Sequence, residues 1–187
     1  MSAPSGGPAV VVRPARDHDW PAIWPVIAAT VRAGDTYALD PALSEAEARA
    51  WWLTTPPEAT VVAMSAGALL GTARMGPNRP GPGSHVGTAA FMVAPEARGR
   101  GVGRRLAEHV VAWHREQGYR AIQFNAVVAT NTTAVRLWRD LGFRVVGTVP
   151  EAFRHPTQGF VDLLVMHLRL DPSSASTYSA ARDPGAG

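Results

Sequence analysis

Residues 92–106, Met92-Val-Ala-Pro-Glu-Ala-Arg-Gly-Arg-Gly-Val-Gly-Arg-Arg-Leu106, hold the end of an apolar strand, a glycine-rich turn and the start of a helix in one run. Gly99, Gly101 and Gly103 stand at alternate positions, where they let the backbone take conformations closed to other residues and approach a ligand closely. The helix that starts there points unpaired N–H groups at the turn, and its dipole favours negative charge in the same place. Arg98, Arg100, Arg104 and Arg105 add positive charge beside it. A pyrophosphate fits such a position.

Two common nucleotide motifs do not match. A Walker loop carries a Lys after its last Gly, and this chain has no Lys. A dinucleotide fingerprint needs Gly-x-Gly-x-x-Gly, and counted from Gly99 the third Gly falls one place early, at Gly103. The run Arg-x-x-Gly-x-Gly at Arg98, Gly101 and Gly103, preceded by an apolar strand and Val-x-Pro, resembles the acetyl-CoA signature of the GCN5-related N-acetyltransferases. Further on, Asn131-Thr-Thr-Ala-Val-Arg-Leu-Trp-Arg-Asp-Leu-Gly-Phe143 resembles the second motif of that family, Asn-x-x-Ala-x-x-Leu-Tyr-x-x-x-Gly-Phe, with Trp138 at the place of the Tyr. The resemblance covers residues 10–170. It implies an α/β (α+β) fold: a single domain with a mixed, mostly antiparallel sheet of about seven strands, about four helices, and central strands that splay apart.

The rest of the composition agrees with one folded domain. The chain has 187 residues, 46% hydrophobic and 18% charged, enough to bury a sizeable core. No apolar run approaches a membrane span of about 20 residues, so no membrane partner is expected. The start, Met-Ser-Ala-Pro-Ser-Gly-Gly-Pro, has neither the basic nor the apolar region of a secretory signal. There are no cysteines, hence no disulfides, thiolate metal sites or Cys nucleophile, and the expected location is cytoplasmic. The formal charge is +3, but the densest basic cluster lies in the glycine turn and no basic stripe is interleaved with aromatics, so no nucleic-acid partner is expected.

In chain order, residues 1–9 read as a flexible leader and Val10 to Arg13 as a first strand. Asp17 or Asp19 can cap a helix with apolar positions Ile23, Trp24, Ile27 and Val31, closed by Gly34. Ser44 and Glu47 form a capping box for a second helix to about Leu53. Thr60 to Ser65 and Ala68 to Met75 make a hairpin around Ala66-Gly67. Residues 76–84 read as a loop and His85 to Val93 as the central strand. Val102, Leu106, Val110 and Trp113 mark one face of the third helix, which Gly118 caps. His109 and His114 on it are read as structural or surface residues, and no metal site is expected. Ala121 to Val128 is a strand, residues 131–141 a helix, and Arg144 to Val149 and Phe160 to Leu170 are the last strands, with a loop between them. Residues 171–187 read as a disordered tail.

The family resemblance implies transfer of an acetyl group from acetyl-CoA to an amine. It implies that the pantetheine arm bonds the backbone of Met92 and Val93. The pyrophosphate falls to the N–H groups of Arg98, Gly99, Arg100, Gly101, Val102, Gly103 and Arg104, and Asn131 binds the cofactor arm. It also implies a homodimer. An alkylamine is mostly protonated at neutral pH, so a base or a water relay must free it before attack. A backbone N–H, that of Val93, can polarise the carbonyl. Trp138 lacks the hydroxyl commonly proposed to protonate the leaving thiolate, and the central strand lacks the Glu that many members use as base. Water, or departure of CoA as the thiolate, then takes that part.

Phe124-Asn125, with Ala152-Phe-Arg-His-Pro156 and Gly159-Phe-Val-Asp162, resembles the branch of the family that acetylates the proline analogue L-azetidine-2-carboxylate. In that branch the matching Asn holds the amino acid near the thioester, which makes Asn125 the candidate catalytic and substrate-binding residue. An Asn that only satisfies neighbouring backbone is the other reading. His155 reads as a base, a carboxylate partner or a structural residue, and Asp35, Thr36 and Tyr37 as acceptor-recognising residues or turn formers. The expected partner is a small-molecule amine or amino acid. Acetylation of a protein N-terminus or an antibiotic amine, and a catalytically silent acyl-CoA sensor, remain as alternatives.

Overall fold

Each helix starts and stops where its sequence provides for it. The computed structural model describes residues 9–170, so the tail and all but residue 9 of the leader lie outside the described residues. After strand β1 (Val11–Pro14), helix α1 (Trp20–Ala33) begins with Pro21 in its first turn and ends at Gly34, whose φ of 62° takes the left-handed conformation that glycine tolerates. Asp19 precedes α1 but makes no side-chain cap bond. Its carboxylate is committed elsewhere, accepting two bonds from the Arg13 guanidinium at 2.8 and 2.7 Å and one from the Arg16 N–H at 2.8 Å. Helix α2 (Glu45–Trp52) has the full capping box between Ser44 and Glu47. Trp52 is wholly buried and donates to Thr72 Oγ1 at 2.9 Å, which sets α2 over the sheet face that carries Thr72.

Strands β2 (Ala59–Ser65) and β3 (Ala68–Pro77) form a hairpin whose two turn residues, Ala66 and Gly67, both have positive φ. β4 (Val86–Val93), helix α3 (Val102–Glu116), β5 (Ala121–Val128) and helix α4 (Thr132–Asp140) follow. Of the last two strands, β6 (Arg144–His155) runs six residues past its expected end, and β7 (Gly159–Arg169) is displaced by one residue from the expected Phe160 to Leu170. The expected loop between them is mostly strand, interrupted by a register shift at Val149/Phe153 with Glu151 at φ 51°, and a further shift at Val145/Gly147 falls in the part already expected as strand. Gly147, inside the expected strand, and Pro150, in the expected loop, fall at these irregularities.

The seven strands lie in the order β1-β2-β3-β4-β5-β7-β6, antiparallel throughout except for β4 and β5. That parallel pair is in register only at Val86↔Ala121 and Gly87↔Ile122. Beyond those positions the two strands separate. One apolar core packs α1, α2 and one side of α3 on β2–β4, and a second packs Ala107 and Val111 of α3 with Phe124, Trp138, Phe143 and Met166.

Candidate active site

The split between β4 and β5 leaves one edge of β4 without a strand partner from Thr88 onward. The pairing of β4 with β3 decides which backbone groups face it. The Ala94 N–H donates to Leu70 O at 2.9 Å, and bonding direction alternates along an antiparallel pair, so Met92 also turns its amide toward β3. Phe91 and Val93 turn theirs into the split. Met92 therefore does not present backbone to the split as expected; its amide lies on the β3 side and its side chain is buried. Phe91 takes the place predicted for it, beside Val93.

Phe91 is already engaged. The Tyr37 hydroxyl, on the loop between α1 and α2, donates to Phe91 O at 2.9 Å and accepts from Phe91 N–H at 2.7 Å. Burial pushes the phenol up to about 12, opposed in part by the Phe91 backbone bond, so Tyr37 stays protonated and holds its place as a neutral donor and acceptor. With Phe91 covered, Val93 carries the N–H that faces the split at the end next to the glycine turn, and Ala89 the one at its closed end.

The strand then runs into the glycine turn. Gly99 and Gly101 have φ of 75° and 76°, and a Cβ on either would meet nothing within 4 Å, so the turn is open on its outer side. Gly101 is the N-cap of α3, and the first intrahelical bond is Arg105 N–H to Gly101 O. The N–H groups of Val102, Gly103 and Arg104 are thus the unpaired donors of the first turn. Those of Arg98 and Arg100 are spent inside the turn, on Pro95 O and Ala97 O at 3.3 Å each, and do not point outward as expected. At Gly103 a Cβ would meet Leu137 at 3.7 Å and Val93 at 3.9 Å, ordinary contact distances, so neither space nor φ demands glycine there. The Arg104 guanidinium is tied to Asp140 at 2.8 Å, leaving its backbone N–H for the turn. An open hollow of about 650 Å³ beside the turn is lined by Arg100, Gly101, Arg104 and Arg105, with Ala9, Val10 and the carboxylate Glu108 at its border. A pyrophosphate fits these donors and charges.

On the far side of the split, β5 carries a register shift between Phe124 and Val127 in its pairing with β7. Such bulges re-aim side chains. Phe124 points to the second core, and Asn125 is exposed on the other face, as is Gln123 by alternation. Asn125 Nδ2 donates to Asn78 Oδ1 at 2.6 Å, and Gln123 Nε2 donates to Asn125 Oδ1 at 2.8 Å. Asn78 Nδ2 also reaches Asn125 Oδ1, at 3.5 Å, so both lone pairs of that oxygen are engaged and the carboxamide keeps one N–H donor. Asn78 was not singled out from sequence: it lies in what reads as a plain loop, and its partner is 47 residues away.

Asn131 is the N-cap of α4, its side-chain oxygen accepting from Ala134 N–H at 3.1 Å. Asp35 Oδ1 and Thr130 Oγ1, on the loops that flank the split, are shut from solvent without a hydrogen-bond partner. His155 is not brought to this place. It pairs with Gly159 at the tip of the β6–β7 hairpin, and β7 meets the end of β5 only at Leu163↔Val128, four residues or about 13 Å further down. Its Nδ1 accepts from Thr157 N–H at 3.3 Å instead. Trp138 is buried, its ring centroid 4.9 Å from Phe91 and 4.7 Å from Phe124, so an aromatic wall stands where the resemblance would put a hydroxyl.

Among the described residues no group of three or more His, Asp or Glu side chains could hold a metal, and no helix is long and apolar enough to cross a membrane.

The family model described as the acetyltransferase (GNAT) family matches residues 26–143. A solved GCN5-related N-acetyltransferase from Kribbella flavida is 59% identical, with a TM-score of 0.85, covering 87% of this chain and 98% of that one. N-acetyltransferase aca1 of Schizosaccharomyces pombe is 37% identical over 98 residues, which are 52% of this chain and 47% of that protein. This chain therefore spans about half the length of that relative. The L-methionine sulfoximine/L-methionine sulfone acetyltransferase of Pseudomonas aeruginosa is 31% identical over 118 residues, 62% of this chain and 67% of that enzyme.

Proposed function

Because the chain belongs to the acetyltransferase (GNAT) family, we propose that it transfers the acetyl group of acetyl-CoA to the amine of a small amino acid, with a proline analogue such as L-azetidine-2-carboxylate as the leading acceptor. The observation that carries this reading is the split between β4 and β5 that runs into an open glycine turn with unpaired N–H groups. Acetyl-CoA, when bound, supplies an acetyl group activated as a thioester. Gly99, Gly101, Val102, Gly103 and Arg104 hold the pyrophosphate through their backbone, and Arg98 and Arg100 add charge with their side chains. Val93 N–H lies toward the carbonyl and polarises it, the work of a one-donor oxyanion site. Asn131, while capping α4, borders the path of the arm.

Asn125, fixed by Asn78 and Gln123, orients the acceptor with the Nδ2–H donor it retains. Tyr37 closes the opposite wall. The similarity to an enzyme named for two amino-acid acceptors supports an acceptor of this size. Trp138 cannot practically give up its indole proton, so solvent protonates the departing sulfur. The proposal includes a cytoplasmic homodimer, on the cysteine-free sequence and on the apolar residues Val146, Val149 and Phe160 exposed along β6 and β7.

The test is CoA release from acetyl-CoA over L-azetidine-2-carboxylate, L-proline, L-methionine sulfoximine, a polyamine, an aminoglycoside and a short peptide, with light scattering on the same sample for oligomeric state. Turnover confined to the amino acids supports the reading, and turnover of the peptide or aminoglycoside alone replaces it. Tight acetyl-CoA binding without any turnover would favour a silent acyl-CoA sensor, the alternative to which Trp138 lends weight. Asn125→Ala is expected to raise KM for the acceptor about tenfold, the loss of one good polar contact, and to leave acetyl-CoA affinity unchanged. An effect confined to acetyl-CoA would move Asn125 to the donor side.

A further inference from the structure

The amides around Asn125 have a charged neighbour that the acetyl-transfer reading leaves unused. Strand register fixes the face they occupy. Thr72, under Trp52 of α2, pairs with Met92, so Met92 and the alternate β4 residues Ala90, Thr88 and Val86 share the face that α2 covers. Val86 pairs with Ala121, which puts Gln123 and Asn125 on that face too. Helix α3 covers the other face, since a Cβ on Gly71 would meet Val102 and Leu106. The glycine turn, which opens α3, and the amides thus flank the split from opposite sides.

Arg79 joins the amides through Asn78. Its Nη1 donates to Asn78 O at 2.9 Å and to Asn78 Oδ1 at 3.5 Å, and the same Oδ1 accepts from Asn125 Nδ2 at 2.6 Å. The loop holds the base of the side chain: Asn78 N–H donates to Val86 O at 2.8 Å, and a Cβ added at Gly83 would stand 2.9 Å from Arg79 Cβ. A guanidinium only donates, so it turns the Asn78 oxygen toward itself. Asn125 then meets Asn78 with its nitrogen and Gln123 with its oxygen. Both Asn oxygens are consumed inside the cluster. What the Asn and Arg members retain is N–H: one on Asn125, one on Asn78, and the Nη2 and Nε groups of Arg79.

Such a surplus of donors beside a full positive charge suits an anion. Arg79 is exposed, so a ligand reaches it, and among the described residues it has no ion pair. Residues 76–85 and strands β4 and β5 contain no Asp or Glu. Arg74, the cation on the same face of β3, is paired with Glu58 at 2.7 Å.

We propose that Arg79 receives the carboxylate of the acceptor and makes the protein select amino and imino acids over plain amines and peptide N-termini. This rests on the acetyl-transfer reading and names the residue that sets its acceptor class. The planar fork of the guanidinium matches both oxygens of a carboxylate. Asn125 Nδ2–H adds a donor to one of them, and the amine on the adjoining carbon is left to face the split.

The test measures CoA release by wild type, Arg79→Ala and Arg79→Lys with L-azetidine-2-carboxylate and L-methionine sulfoximine, each beside its carboxamide, which keeps the amine and removes the negative charge. Wild type is expected to prefer the acids, with a KM that rises with salt. Arg79→Ala should lose about 10- to 100-fold in kcat/KM for the acids, most of it in KM, and less than about threefold for the carboxamides, the range expected of a charged hydrogen bond. Arg79→Lys keeps the charge without the fork and should recover part of the loss, and it decides the matter if Arg79→Ala does not fold. A parallel fall for acid and carboxamide would reduce Arg79 to a support for Asn78, and an unchanged KM for the acids would remove it from the site; either overturns the proposal. Calorimetric titration of the acids into protein saturated with CoA separates this proposal from its parent. Binding that needs Arg79, without turnover of any acceptor, overturns acetyl transfer and leaves the carboxylate site standing. Binding that Arg79→Ala does not weaken, or no binding of either acid by wild type, overturns the carboxylate site.

Discussion

At His114, burial and chemistry pull in opposite directions. The ring is fully buried, with Nδ1 2.8 Å from Val110 O and Nε2 without a hydrogen-bonded partner; the backbone of Gly76 and Thr88 lies near it, off bonding geometry. Burial pushes the imidazole below its usual range, so the folded protein holds it neutral. Once unfolded it titrates near pH 6.5, and below that value the unfolded chain binds a proton that the native one refuses. Stability is therefore full above about pH 6.5 and falls as the pH drops below it. His109 and His167, also held low chiefly by burial, add to the slope. His114→Gln should reduce the loss of urea midpoint between pH 7 and pH 5, and an unchanged slope would exclude His114 as its source. The ring sits against Gly87, where an added Cβ would collide with Cδ2 and Nε2. Gly87→Ala is expected to cost about 1–3 kcal/mol, read from the same urea curves. None of this shows in the sequence, where His114 is one more polar residue on an amphipathic helix. Met92 and Asn78 were illegible for a related reason. Which amide faces the split depends on strand register, and Asn78 acquires its meaning from a residue on another strand. Tyr37 and Asn125 were singled out through family resemblance, which places a loop and an Asn where their own stretches would read as turn formers or backbone partners.

The glycine turn separates two uses of glycine that look alike in sequence. Gly101 needs its left-handed φ and opens outward, whereas Gly103 faces Leu137 and Val93 at ordinary contact distance. Gly101→Val should strain the backbone by about 1–3 kcal/mol and weaken acetyl-CoA binding by tenfold or more. Gly103→Ala should leave both nearly as they are. Calorimetric titration and thermal melts on the pair check this, and equal damage from both would mean that the two glycines play the same part. Elements whose signal is local were readable: the capping box of α2, the β2–β3 hairpin, and the runs that became α3, β5 and α4. The second half of β6 was not, because its interruption puts Pro150 and Glu151 inside a strand that continues through them. Asp19 was misread as a cap because the guanidinium that claims it comes from β1.

The arrangement of the whole sheet follows from one seam. Strand order, and a parallel pair that holds for two residues and then opens, come from packing across the molecule and were available only through family resemblance. Composition alone limited the chain to a globular domain. The two apolar cores lie on either side of the seam, and α3 serves both, with Val102, Leu106 and Val110 in one and Ala107 and Val111 in the other. Two half-sheets hinged at one end and bracketed by one helix share few hydrogen bonds along their boundary. They should come apart with less than perfect cooperativity. In scanning calorimetry without a ligand, the van 't Hoff enthalpy is expected below the calorimetric one, and a ratio of one would show a single cooperative unit. Acetyl-CoA bound along the seam would tie the halves together, raise the melting temperature by mass action and bring the two enthalpies toward each other. On the proposed reading, the gap in the sheet would make the substrate a structural member of the protein, a strand's worth of cohesion supplied at each turnover and withdrawn with the product.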